Sequence, residues 1–347
     1  MVARDGSTRD RSTRSAGGTA RPSARPSGPR RPSEPTPAAP ADGLVVGDPP
    51  PTARLTGVLL VLAGVVGAAG LFPTYLVIGG TEVSQSAGAA SLLAGLVVPL
   101  TAVAVGGGLA AGRVPRFGLA FASIGGALSV GLLLIELYRA STSTVRPGIE
   151  VIAGQRVLTS AVDVGLGWVL GAVALGLTVL AGAFAVAAWG RTVMEDAGSL
   201  DPARPALAGA AVLLGVGAVL CLVLPAADVP DRIVTDPMTG LQVVVEQEGP
   251  QGLLERPGLA LLGGLLLAGA VVLCSVLAPS LRPRLAAVGA LLAIAVVVLA
   301  AGLTGLRDAA VSDELEWTLP GVGLLLAGVG YVVLTVLAWR LRPTPER

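Results

Sequence analysis

Few residues of this chain could do chemistry inside a membrane-sized apolar run, and each is a particular kind of group. Glu136 is the one acid within such a run, three residues before Arg139. That spacing puts both on one helix face, so an ion pair at the edge of an apolar layer is expected rather than a proton relay. Tyr331 lies near the middle of another run with Thr335 one turn on, and its hydroxyl must find a partner if it is buried. Pro99 interrupts a third run, with Ser91 and Thr101 nearby. A proline removes a backbone donor and frees a carbonyl, which is how broken membrane helices make polar sites. Pro99, Thr101, Tyr331 and Thr335 are therefore the candidate lining of a transport path. Asp308, Asp313, Glu314 and Glu316 could hold a cation, but a solvated acidic link is the simpler expectation.

Composition removes other chemistries. With no His, the commonest metal ligand and general base is missing, which excludes Ser-His triads and the usual zinc sites. Cys221 and Cys274 sit on neighbouring predicted helices at depths about 16 Å apart at ~1.5 Å per residue, too far for a disulfide. Both are expected free. Neither an enzymatic activity nor a cofactor, metal or nucleic-acid partner is expected.

The elements that must position these groups are membrane helices. At 53% hydrophobic, 14% charged and a mean hydropathy of +0.77, the chain reads as an all-α integral membrane protein. Two uncharged runs, Leu259 to Ala278 and Leu285 to Leu306, flank a short link carrying Arg282 and Arg284. Each is long enough to cross a hydrocarbon core of ~30 Å. The same reading gives further spans at Leu55–Phe72, Ala89–Gly112, Phe117–Tyr138, Val164–Trp189, Ala206–Leu224 and Leu319–Trp339, an eight-helix bundle over residues 53–347. Every basic residue is Arg, a bias that suggests a GC-rich bacterial source. With eight spans and both termini cytoplasmic, eighteen of the 24 Arg fall inside, against Arg139, Arg146, Arg156, Arg232, Arg256 and Arg307 outside. Trp168, Trp189, Trp317 and Trp339 mark span ends, as an aromatic belt requires. An inner-membrane location follows.

Residues 1–52, rich in Arg, Pro and Ser, hold too little apolar surface to offset their ordering entropy, so a disordered cytoplasmic tail is expected, with the first span acting as insertion signal. Two outer stretches read as β-hairpins: Gly148–Thr159, turning at Ala153-Gly154-Gln155, and Arg232–Glu246, turning at Asp236–Gly240. Loop lengths do not match between the first and last four spans. An inverted repeat is excluded for that division, because both halves would enter from the same side. Small residues recur four apart, as at Gly118, Ala122 and Gly126, which suits close packing within the bundle or a homo-oligomer contact in the bilayer.

Two functions compete on this evidence. One is a structural or accessory component presenting its outer loops to a partner. The other is a permease for a small neutral or apolar compound, using Pro99 and Tyr331. The topology is tested by reporter fusions at residues 80, 150, 240 and 312, all of which should read as external; an internal signal at any of them contradicts it.

Overall fold

A computed structural model describes residues 44–86, 88–141, 149–152, 155–158, 162–196, 200–235, 238, 242–245, 252–253, 256–312 and 315–341. Among these are eight helices long and apolar enough to span a membrane: α1 (Pro51–Ala69), α2 (Ala89–Ala110), α3 (Pro115–Arg139), α4 (Leu166–Trp189), α5 (Arg204–Val223), α6 (Leu259–Leu277), α7 (Arg284–Val311) and α8 (Leu319–Arg340). The expected all-helical membrane bundle is present. Proline within the first two positions starts α1, α3, α5 and α8, where its missing N–H would have no helical partner anyway. Thr318 caps α8, its hydroxyl accepting from the Gly321 amide.

Among the described residues eleven short strands lie before and between the helices: β1 (Leu44–Val46), β2 (Leu76–Ile78), β3 (Thr81–Val83), β4 (Ile149–Ile152), β5 (Gln155–Leu158), β6 (Val162–Val164), β7 (Met194–Asp196), β8 (Ala227–Asp228), β9 (Arg232–Thr235), β10 (Gln242–Val245) and β11 (Glu316–Trp317). Their pairing sorts the two ends of the bundle. β2, β3 and β6 form one antiparallel sheet and β8 pairs with β11, which brings together the links after α1 and α3 and those after α5 and α7. Arg116, opening α3, reaches the Arg282 carbonyl just before α7 at 3.4 Å, so all four links share an end, the hairpin end. At the opposite end β1, before α1, pairs with β7, after α4.

Both expected hairpins form, as β4–β5 and β9–β10, without pairing to each other. In the first, Gln155, expected in the turn, is already paired with Ile152, and Ala153 and Gly154 lie outside the described residues. Most of the second turn lies outside the described residues. A third hairpin, β2–β3, was not expected, although Gly79-Gly80 between β-branched residues signals it. Both glycines have positive φ, +56° and +82°, as a two-residue turn of the primed kind needs.

Two boundaries also differ from expectation. Residues 1–43 of the expected tail lie outside the described residues, but from Leu44 the chain is ordered. Leu44-Val-Val46, the one aliphatic cluster there, pairs as β1, and α1 begins at Pro51. α7 runs on to Val311, so Arg307 and Asp308 sit in its last turns rather than in a link.

The packing of the helices repeats. α1 packs on α2 and α4, and α3 on α4; likewise α5 packs on α6 and α8, and α7 on α8. Across the middle α3 meets α6 just as α7 meets α2, and α3 meets α7. Replacing each helix by the one four along therefore reproduces the bundle. Smaller contacts agree. Arg116, opening α3, donates to the Thr192 carbonyl beyond α4 at 2.9 and 2.6 Å and stacks on Trp189. Arg284, opening α7, donates to the Trp339 and Leu341 carbonyls at the end of α8 at 3.0 and 2.6 Å. Unequal loops, such as the β9–β10 insertion, hide this repeat from a comparison of loop lengths.

α3 and α7 form the centre, with 61% and 72% of their spans buried against 22% for α4 and α5. Their small residues serve this packing. A Cβ on Gly126 would lie 2.7 Å from the Gly182 Cα on α4, and one on Gly131 would lie 2.6 Å from the Gly263 carbonyl on α6. Only glycine allows such approaches.

Candidate functional site

At the hairpin end of α3 a polar cluster sits on the last two turns. Glu136, 8% exposed, holds three donors by different atoms. The Tyr75 hydroxyl donates to Oε1 at 2.5 Å, Arg139 Nη1 lies 3.3 Å from Oε2, and Trp168 Nε1 donates to the Glu136 backbone carbonyl at 2.9 Å. Arg139 Nη1 also donates to the Tyr75 hydroxyl at 3.4 Å. Burial pushes the Tyr75 phenol above its usual range, with the Glu136 carboxylate reinforcing the shift against Arg139, so the phenol stays a protonated donor. The expected Glu136–Arg139 pair is present, but Tyr75 as a third member was not legible, since it lies sixty-one positions away in sequence. From the second half of the chain Asp308 adds its charge within electrostatic reach of Arg139, while its Oδ1 accepts from Arg307 Nε and Nη2 at 2.9 and 2.6 Å.

Below this cluster lies a cavity of about 470 Å³. It is shared by both halves: Gly64 on α1, Pro99 on α2, Ser129 on α3, Thr178 on α4, Val271 on α6 and Thr304 on α7 all line it. Arg139, Arg256 and Asp308 line its hairpin end. Along α3 the lining runs from Phe121 to Arg139, or ~27 Å at ~1.5 Å per residue, nearly the thickness of a hydrocarbon core. The cavity is an elongated apolar slot, charged at one end.

One hydroxyl in it is exceptional. Hydroxyls on these helices ordinarily donate to the carbonyl four residues back, as Thr56, Ser123, Thr178, Ser275 and Thr304 do. Ser129 is 5% exposed, lines the slot and makes no hydrogen bond among the described residues. Its oxygen is not enclosed by protein, so on the slot wall it is open to a ligand or a water.

The four candidate lining residues separate. Pro99 does line the slot, opposite Gly64, whose lack of a side chain lets α1 lie on the Pro99 carbonyl. Thr101 donates to Val97 O at 2.6 Å and Thr335 to Tyr331 O at 2.7 Å, and neither lines the slot. Tyr331 does not line the slot; it is fully buried, donating to Ala211 O at 2.7 Å with Ser275 Oγ 2.6 Å away. It ties α5, α6 and α8 together as a packing tyrosine. Ser91 is buried at the start of α2, away from the slot.

Among the described residues no three His, Cys, Asp or Glu side chains gather as a metal site, and Cys221 and Cys274 are free. Of the acids expected in the outer link, Asp313 and Glu314 lie outside the described residues and Glu316 is exposed on β11. No protein-family model, curated protein or solved structure matches this chain.

The Tyr75 hydroxyl is a donor to a buried carboxylate, an interaction whose loss costs about 1.5–3 kcal/mol. Tyr75→Phe should therefore lower the thermal unfolding midpoint in detergent by several degrees. An unchanged midpoint would mean that the cluster carries no stability.

Proposed function

We propose that this multi-pass membrane protein is a permease or carrier that takes a small, mainly apolar compound into the slot between its two halves. The single observation that carries the reading is the slot itself. Its volume falls within the ~300–1,000 Å³ of ordinary ligand sites, and its wall is drawn from both halves of a repeated bundle. Transporters built from parallel repeats hold substrate at the repeat interface and move by rocking one half against the other. Here that interface runs along α3 and α7, beside the helix that Pro99 interrupts. Pro99 leaves the Gly95 carbonyl without its helical donor and makes α2 the element best suited to bend.

The same proposal orients the chain with the hairpin end outward and both termini in the cytoplasm, because eighteen of the 24 Arg then lie inside. No catalytic step is assigned to it. The accessory reading retains one observation in its favour: β9–β10 forms a two-stranded sheet with nothing paired to its edges among the described residues, and such edges accept a partner strand.

A substitution that fills the slot without disturbing the fold separates the two readings. A Cβ on Gly125 meets nothing within 4 Å, and the residue lines the slot. Gly125→Leu should leave expression and thermal midpoint near wild type while abolishing uptake or binding of the transported compound. Gly126→Leu, one residue on, drives a side chain into Gly182 and should fail to fold. A folded Gly125→Leu protein that keeps full activity in cells would remove the slot from the function.

A further inference from the structure

We propose that the ligand of this slot is a single-chain amphipath with an anionic head and an oxygen function part-way along its chain. The inference rests on the carrier reading and adds the chemistry of the compound. Three observations converge on it. First, the slot is long along α3 and apolar over most of that length, which matches an extended hydrocarbon chain better than a compact solute. Second, the charged groups lining its hairpin end are Arg139, Arg256 and Asp308; Glu136 pairs Arg139 and Arg307 pairs Asp308 from outside the lining, so the described groups gathered there are three guanidinium groups against two carboxylates. An arginine carries five donors, so engagement with a protein partner leaves donors for a carboxylate or phosphate. Third, Ser129 offers a hydroxyl without a partner ten residues deeper on the same helix as Arg139, ~15 Å further into the slot at ~1.5 Å per residue.

The pieces fix the pose. The acidic head sits among the arginines at the hairpin end, the chain lies along α3 and α7, and the chain oxygen meets Ser129. A cationic head would meet Arg139 and Arg256 there with Asp308 as the one lining carboxylate to receive it, and is disfavoured relative to an anionic one. A chain without the oxygen would enter but leave Ser129 unsatisfied, losing one hydrogen bond of ~0.5–1.5 kcal/mol, or roughly threefold to tenfold in affinity.

The test uses the full-length protein in neutral detergent and titration calorimetry. The probes are octadecanoate, its 12-hydroxy derivative, the methyl ester of octadecanoate, a single-chain lysophosphatidate and octadecyltrimethylammonium. Binding of the acids, weakened at least tenfold in the ester and lost in the ammonium compound, is the expected result. The 12-hydroxy acid should bind threefold to tenfold tighter than octadecanoate, and Ser129→Ala should erase that difference alone. The better of the carboxylate and the phosphate then identifies the head. Because Arg139→Gln would strand Glu136, the charge arm uses Arg256: Arg256→Gln should weaken the acids about tenfold, and Arg256→Glu should shift preference toward the ammonium probe. Equal binding of acid and ester, sensitive to Gly125→Leu, would overturn the anionic head while sparing the carrier reading. No Gly125-sensitive binding of any probe overturns this proposal, and a cellular activity that Gly125→Leu leaves intact overturns the carrier reading beneath it.

Discussion

Inside a bilayer the lipid is as apolar as the helices, so nothing but close contact and a few polar bonds draws one helix to the next. For this protein that contact is made by α3. Gly126 meets α4 at Gly182, and Gly131 meets α6 at Gly263, each at a separation no side chain would permit. α3 is thereby joined to its own half through α4 and to the other half through α6. The remaining ties are of the same economical kind: Arg116 and Arg284 each clamp the end of the next helix by its backbone carbonyls, and Tyr331 binds three helices through one hydroxyl.

The slot exists where this closeness is given up. On the face of α3 turned toward α1 and α7 the small residue Gly125 has no neighbour to meet, and Ser129 one turn on has none for its hydroxyl. Closing that space would bury more apolar surface. The chain instead keeps a space of about 470 Å³ there and lines its hairpin end with charged groups, of which Arg139 is paired with Glu136 and Asp308 with Arg307. Unfilled volume and an unsatisfied hydroxyl at one place are what a ligand would relieve.

Much of this was legible in the sequence, for identifiable reasons. Span length and charge-free composition located the helices, because the bilayer imposes both. Alternating β-prone runs around turn residues located β4–β5 and β9–β10. Glu136 and Arg139 announced their pairing by a local spacing of three. What could not be read depended on contacts between distant segments: Tyr75 reaching Glu136, β1 reaching β7, and the twofold repeat of the packing, offset by four helices, that loop insertions obscure. Tyr331 shows the limit most clearly. A mid-membrane hydroxyl signals that a partner exists, but whether that partner is Ala211 O or a substrate depends on which helices surround it. Ser129 gave no such signal, since helical serines usually satisfy themselves on their own backbone.

The central claim is that a space reachable from the hairpin end extends to the middle of the bundle at Ser129. Cysteine accessibility tests it directly, in a chain whose Cys221 and Cys274 are replaced by Ala. A membrane-impermeant methanethiosulfonate reagent added from the hairpin side should modify Ser129→Cys, and should leave Ser275→Cys, enclosed by α5, α6 and α8, unmodified. An unreactive cysteine at 129 in a folded protein would contradict the account.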